Sequence, residues 1–350
     1  MAMKKTKWIL LLFIPLQGVA ILFIRNQPQW IEENYSQKIY PVFFNLQKFF
    51  FSKIPFSFGD IAYGIALLLI VWNLYSLIRR KVKITNLLLN TFATASLISL
   101  LFHLHWGLNY YRTSLNEKLN FTTEYTEDQL EQTLQLIITS TNQLHEKLGN
   151  LDSVPAIIPH SKEQITRLLE KDFDFELYNF KVQPFLKNSL WSTLLSYMGF
   201  AGYLNPLTLE SQVNYKIPKL NYITTATHEM AHQLGIASEA EANFVAFYSC
   251  IKHPDPHIRF AGYCFALQYC YSELYKANPE KAKKQLSKLH KGVLKNFREA
   301  ASFWKKYQNP LEPYFKKGYD SYLKANGQAM GIQSYNAMVG MVIEYSLQSE

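Results

Sequence analysis

Apolar residues crowd the first third of the chain, in three runs. Trp8 to Ile24 is almost wholly apolar and follows Lys4, Lys5 and Lys7. Ile61 to Ile78 is closed by Arg79-Arg80-Lys81-Val82-Lys83, and Ile84 to Trp106 carries Asn86, Asn90 and His103 but no acid or lysine. Runs of this length predict transmembrane helices over about residues 8–24, 61–78 and 84–106. Gly18-Val19-Ala20 would also suit a signal-peptide cleavage site, but the apolar run continues through Ile21-Leu22-Phe23-Ile24, which favours a retained helix. The aromatic stretch Trp30 to Phe58, with Phe43-Phe44-Asn45-Leu46-Gln47-Lys48-Phe49-Phe50-Phe51 inside it, reads either as a packed loop or as an interfacial segment.

Past residue 110 the pattern changes to helical amphipathicity. Leu130, Leu134, Ile137, Ile138 and Leu144 recur at helical spacing between Thr126 and Gly149, and Ser161-Lys162-Glu163-Gln164 caps a helix running to about Lys171. The short apolar runs Val154 to Ile158 and Phe180 to Phe185 predict strands. The glycines and Pro206 of Ser196 to Glu210 predict a strand and turn. Further helices are expected near Arg259 to Ala277, Pro279 to Tyr307 and Ser334 to Leu347. The fold class that follows is mainly α with a small β-sheet over residues 111–350, preceded by a three-helix membrane region over residues 1–110.

One helical stretch carries chemistry. Thr224-Thr225-Ala226-Thr227-His228-Glu229-Met230-Ala231-His232-Gln233-Leu234-Gly235 holds two histidines four apart, one turn on the same helix face. Ile223, Met230 and Leu234, with Ala226 and Ala231, form an apolar stripe roughly opposite. Two imidazoles so placed can share one Zn²⁺, with Glu229 beside the metal as general base on its water. A third ligand is needed. Gly235 suits a left-handed helix end, after which Ser238-Glu239-Ala240-Glu241 has the form of a capping box. That box occupies Glu241 and leaves Glu239, at the first helical position, as the expected ligand, with Asn243 one turn on to orient it or a histidine.

His228-Glu229-x-x-His232 with Glu239-Ala240-Glu241-Ala242-Asn243 resembles the zincin metallopeptidases of the CAAX-prenyl and HtpX types, whose third ligand is a Glu four residues before an Asp or Asn. The gap between His232 and Glu239 is shorter than in the CAAX type. Trp106-Gly107-Leu108-Asn109-Tyr110-Tyr111-Arg112, the stretch from Gly199 to Asn214, and Tyr319-Asp320-Ser321-Tyr322-Leu323-Lys324 resemble an uncharacterised bacterial membrane family, the "domain of unknown function 3810" group. The resemblances imply a zincin-like domain on a bacterial inner-membrane protein. By analogy with zincins, the strand at Gly202, Tyr203 and Asn205 is either a plain hairpin or an edge that pairs with extended peptide. Tyr335 or Tyr203 could stabilise an oxyanion.

Composition alters this picture little. The chain is 48% hydrophobic and 15% aromatic, and the formal charge of +9 is largely accounted for by the membrane-flanking clusters and by Lys276 to Lys317. Nothing resembles a nucleic-acid module. Cys250, Cys264 and Cys270 fall in apolar helical sequence and are expected as buried thiols. With the Lys4–Lys7 and Arg79–Lys83 clusters inside, the N-terminus is cytoplasmic and the domain after Trp106 periplasmic or extracytoplasmic. The expectation is a membrane-anchored zinc peptidase acting on a peptide or protein substrate. The alternative is a non-catalytic zinc-containing envelope scaffold or assembly factor.

Overall fold

The computed structural model describes residues 2–149, 151–328, 331 and 337–348, with side chains from Phe13 onward. The chain forms two compact units, the first of Met1–Thr113 with Asn205–Glu210 and the second of Ser114–Leu204 with Ser211–Glu350.

In the first unit, helix α1 spans Ala2–Ile24, α2 Tyr40–Phe51, α3 Phe58–Ile78 and α4 Ile84–His105. Among the described residues, α3 and α4 are long and apolar enough to cross a bilayer, whereas the described apolar part of α1, Phe13–Ile24, is shorter than a span. The stretch from Trp30 to Phe58, read from sequence as a loop or interfacial segment, is largely helical: a wide π-helical run over Ile31–Ile39 leads into α2. Pro41 lies inside this continuous helical run, where Ile39 and Tyr40 both keep right-handed helical backbone, and it withholds one N–H from the ladder where the π-helical part passes into α2; no other proline or glycine interrupts the run. Tyr35, Tyr40 and Phe44 form its buried face. Arg112 clamps the buried Glu32 through two parallel bonds of 2.7 Å each, and Ser36 donates to Asn109 Oδ1 at 2.8 Å. At the start of α3, the buried Glu210 carboxylate accepts the backbone N–H groups of Phe58 at 3.1 Å and Gly59 at 2.6 Å. Two otherwise orphaned helix donors are thereby satisfied.

The second unit is helical around a small sheet. Helix α5 (Glu127–Lys147) and α6 (Lys162–Asp172) begin with the capping boxes Thr126/Gln129 and Ser161/Gln164. Strands β1 (Leu186–Asn188), β2 (Gly202–Leu204) and β3 (Ser211–Val213) form a sheet of order β1-β3-β2, parallel between β1 and β3 and antiparallel between β2 and β3. Between β1 and β2 lies α7 (Ser192–Met198). Neither of the strands predicted at Val154–Ile158 and Phe180–Phe185 forms: the first run has no regular secondary structure and pairing begins only at Leu186, whereas the strand predicted within Ser196–Glu210 is β2. The Ala156 backbone is instead paired with Asn296, whose amide bonds both its N–H and its C=O.

Helices α8 (Lys219–Gln233), α9 (Glu239–Lys252) and α10 (Pro256–Ala277) make the centre of this unit, with α5 packed along α10. The expected single helix from Pro279 to Tyr307 is two, α11 (Pro279–Leu286) and α12 (Lys291–Tyr307). The break is held from a distance, because the Asn142 side chain bonds both Lys288 O and His290 N. A helix missing from the sequence reading, α13, covers Glu312–Ala325. The last, α14, is described over Met338–Gln348. Cys250, Cys264 and Cys270 are buried free thiols.

The core joins Ile223, Ala226 and Met230 of α8 to Phe244, Val245 and Phe247 of α9 and to Phe260 and Cys264 of α10. Phe244 is fully buried and touches the rings of Phe121, Phe175 and Tyr248. Its removal leaves a cavity rather than a collapse, so Phe244→Ala should cost about 3–5 kcal/mol and lower the thermal midpoint of the detergent-solubilised chain. A midpoint equal to that of the unaltered protein would contradict this packing.

Candidate metal centre

Helix α8 is buried along almost its whole length, with the apolar stripe of Ile223, Ala226, Met230 and Ala231 in the core and His228 and His232 on another side. It ends where expected: Gly235 has φ of 79°, a left-handed conformation open to glycine without steric cost. The chain reverses there and brings the Ile236 carbonyl to 2.7 Å from His232 Nδ1. A carbonyl can only accept, so Nδ1 carries the proton and a neutral His232 presents the bare Nε2 lone pair.

Ser238 then caps α9 by accepting from Glu241 N, and Glu239 takes the first helical position. The Glu241 carboxylate is committed to the Leu115 N–H at 2.7 Å, a structural task other than the capping-box return read from the sequence. Glu239 Oε2 lies 3.2 Å from His228 Nε2 and 3.6 Å from His232 Nε2, and the two Nε2 atoms are 3.1 Å apart. Tetrahedral Zn²⁺ with bonds of 2.0–2.1 Å sets its ligand atoms about 3.3 Å apart. The three atoms therefore form a triangle of the size that one such ion requires. Three lone-pair donors facing one another at this range repel unless a cation stands among them.

Asn243, one turn along α9, lies 3.4 Å from Tyr269 Oη and is near enough to His228 to favour its protonated form. Tyr319 of α13 donates to Glu239 Oε1 at 2.7 Å, fixing the carboxylate so that Oε2 faces the imidazoles. Nothing local in the sequence connects Tyr319 to the centre, although the stretch Tyr319 to Lys324 carries part of the family resemblance.

The electrostatics are those of a dehydrated, charge-dense cluster. Burial pushes Glu229 up to about 8 and His228 down. Burial also acts to lower His232, but the carboxylates of Glu239 and Glu229 outweigh it and raise that histidine to about 9. For Glu239 burial opposes ionisation, and the histidines overcome it and hold the carboxyl well below its usual range. With Glu229 protonated, one proton on the histidines balances Glu239; with Glu229 ionised as well, a divalent cation would balance the two carboxylates.

Glu229 Oε2 is buried and has no hydrogen-bond partner among the described residues. Glu229 Oε1 abuts β2: a Cβ added at Gly202 would stand 2.7 Å from it and 2.7 Å from the Gln212 carbonyl. Only glycine lets the strand approach so closely. β2 is an edge of the sheet, and Ser211 Oγ of β3 ties the sheet to α8 by donating to Glu229 O at 2.6 Å. Tyr203 lies in β2, paired in register with Gln212. Asn205 belongs to the first unit and is 1% exposed, with Oδ1 accepting from Leu207 N and Thr208 N to close a turn. Tyr335 lies outside the described residues.

A second grouping, His160, Asp255 and His257, was not anticipated from the sequence. Its carboxylate is already spent: Oδ1 caps α10 through His257 N at 2.8 Å and Oδ2 takes His160 Nε2 at 2.8 Å. The positive end of α10 also opposes a cation at that place.

A family model described as Protein of unknown function (DUF3810) matches residues 35–343, a span that includes α8, α9 and Tyr319. The chain belongs to this family. No curated protein and no solved structure matches it. Membership in DUF3810 carries no activity with it, so the chemistry rests on the geometry above.

The close approach at Gly202 makes a sharp expectation. Gly202→Ala should destabilise the chain by about 1–3 kcal/mol, since a methyl group there must displace either the Glu229 carboxylate or the Gln212 backbone. Thermal unfolding checks it, and an unchanged midpoint would mean that β2 and α8 lie further apart.

Proposed function

We propose that the chain is a membrane-anchored zinc metallopeptidase, with the ion held by His228, His232 and Glu239. The observation that carries the reading is the buried triangle of Nε2, Nε2 and Oε2 atoms at 3.1, 3.2 and 3.6 Å, with the buried, unbonded Oε2 of Glu229 on the same helix as both histidines. Zinc, when bound, supplies Lewis acidity toward a carbonyl and makes water a better nucleophile at neutral pH. Glu229, kept ionised by a cation held beside it, takes the proton of the attacking water, a step that its raised proton affinity favours, and delivers it to the leaving amine. Tyr319 and Asn243 hold Glu239 and His228 in place. The edge strand β2, with Gly202 and Tyr203, offers backbone groups to an extended peptide. In this reading α1 joins α3 and α4 as a third span, the N-terminus is cytoplasmic, and the peptidase domain faces the periplasm or cell exterior of a bacterial inner membrane.

One observation favours a second reading. His228, Glu229, His232 and Glu239 are only 8%, 4%, 6% and 1% exposed, as suits an ion that staples α8 to α9 without turning over a substrate.

Metal analysis and peptide cleavage on the full-length protein separate the two. The peptidase reading expects about one zinc ion per chain, loss of that zinc in His228→Ala and Glu239→Ala, and hydrolysis of a mixed library of quenched fluorescent peptides. Glu229→Gln should keep the zinc while cleavage falls by about 10²- to 10⁴-fold. Zinc bound without any cleavage, and a cellular phenotype indifferent to Glu229→Gln, would leave the staple. A chain that binds no zinc refutes both. Tyr319→Phe, which deletes only the hydroxyl on Glu239, should weaken zinc affinity about ten- to a hundredfold, measured by competition with a chromophoric chelator.

A further inference from the structure

Helix α2 presents an apolar face that nothing in the first unit covers. Ile39, just before it, and Val42, Leu46, Phe49 and Phe50 within it are 44%, 67%, 53%, 63% and 57% exposed. At 100° per residue these positions fall within a stripe about 100° wide. Tyr40, Pro41 and Phe44 occupy the opposite, buried side. The helix has 12 residues, hence a length of about 18 Å, well short of the roughly 30 Å of a bilayer's hydrocarbon.

Its neighbours fix the depth at which it lies. Phe43 packs on His105 at the C-terminal end of α4, with ring centroids 5.1 Å apart, and Phe51 stacks on Phe58 at the N-terminal end of α3 at 4.9 Å. Helices α3 and α4 are joined through the short turn Arg79–Lys83, so these are the two ends on one side of a helical hairpin. The sides of α3 and α4 are lined by exposed leucines and isoleucines, and α2 lies beside their ends through Phe43 and Phe51. Lys38 and Lys53 flank the stripe, and Lys53 sits over the Phe49 ring at 5.0 Å.

We propose that α2 lies in the lipid interface, with Val42, Leu46, Phe49 and Phe50 set among the upper acyl chains and the lysines at the headgroups. The inference rests on α3 and α4 spanning the bilayer and is independent of the metal centre. Α short amphipathic helix of this kind binds lipid through its apolar area and its cations together.

Site-directed spin labelling tests it. Single cysteines replace Leu46, Phe49, Glu33 and Val71 one at a time in the full chain, reconstituted in vesicles of three parts phosphatidylethanolamine to one part phosphatidylglycerol. The native thiols will not take label, because all three are buried and burial pushes Cys250 and Cys270 up to about 12 and raises Cys264 well above its usual range. Collisions with oxygen should exceed those with a water-soluble nickel chelate at Leu46→Cys and Phe49→Cys, at a depth shallower than Val71→Cys in the middle of α3. Glu33→Cys, exposed before α2, should show the reverse. Labels at 46 and 49 that meet the nickel chelate as freely as the one at 33 overturn the proposal. Labels there shielded from both reagents overturn it too, since they indicate a second copy of the chain on this face. Nickel access at 71 would refute the spanning reading itself, a failure distinguishable from the other two.

Discussion

The constraint that organises the second unit is charge balance in a space without water. Two imidazoles and two carboxylates lie on adjacent helices with almost no exposure, and an uncompensated charge in such a place costs several kcal/mol. Helices α8 and α9 therefore have to hold these groups close enough for each charge to be compensated. The reversal at Gly235 makes this feasible, because it turns α9 back so that its first residue, where the helix dipole favours a carboxylate, meets the side of α8 that carries both histidines. The apolar faces of the same helices form the core. Chemistry and stability thus use opposite sides of the same two elements.

How much of this was legible in the sequence depended on distance along the chain. The motif helix, its glycine end, the Ser238 cap and the caps at Thr126 and Ser161 are interactions over three or four residues, and the sequence declares them. Tyr319 bonds Glu239 from 80 residues away, and no local pattern announces that. The split between α11 and α12 has the same origin: Asn142 holds the break from 146 residues upstream, where the local sequence would continue the helix. The three-residue strands are decided by pairing rather than by propensity, so the apolar run at Val154 to Ile158 was mistaken for one. Asn205 suited a strand end, but its side chain serves its own turn.

In the first unit polar groups are few and heavily used. Glu32 is neutralised by a bidentate Arg112, Asn109 takes the Ser36 hydroxyl, and Glu210 serves two backbone donors and the Thr208 hydroxyl. Each buried polar atom added to an apolar setting has to bring its partner with it. That rule makes Trp106 to Arg112, a stretch of family resemblance, intelligible as a set of partners rather than as a catalytic motif.

The Glu210 contact also bears on how the protein is made. A ribosome delivers Phe58 and Gly59 about 150 residues before it delivers the acid that receives their amide hydrogens. During that interval the leading end of α3 must rely on water, lipid headgroups or the insertion machinery to solvate it. The first unit is therefore complete only after much of the second has been translated, and a truncated membrane fragment ending near Thr113 would lack a piece of its own architecture.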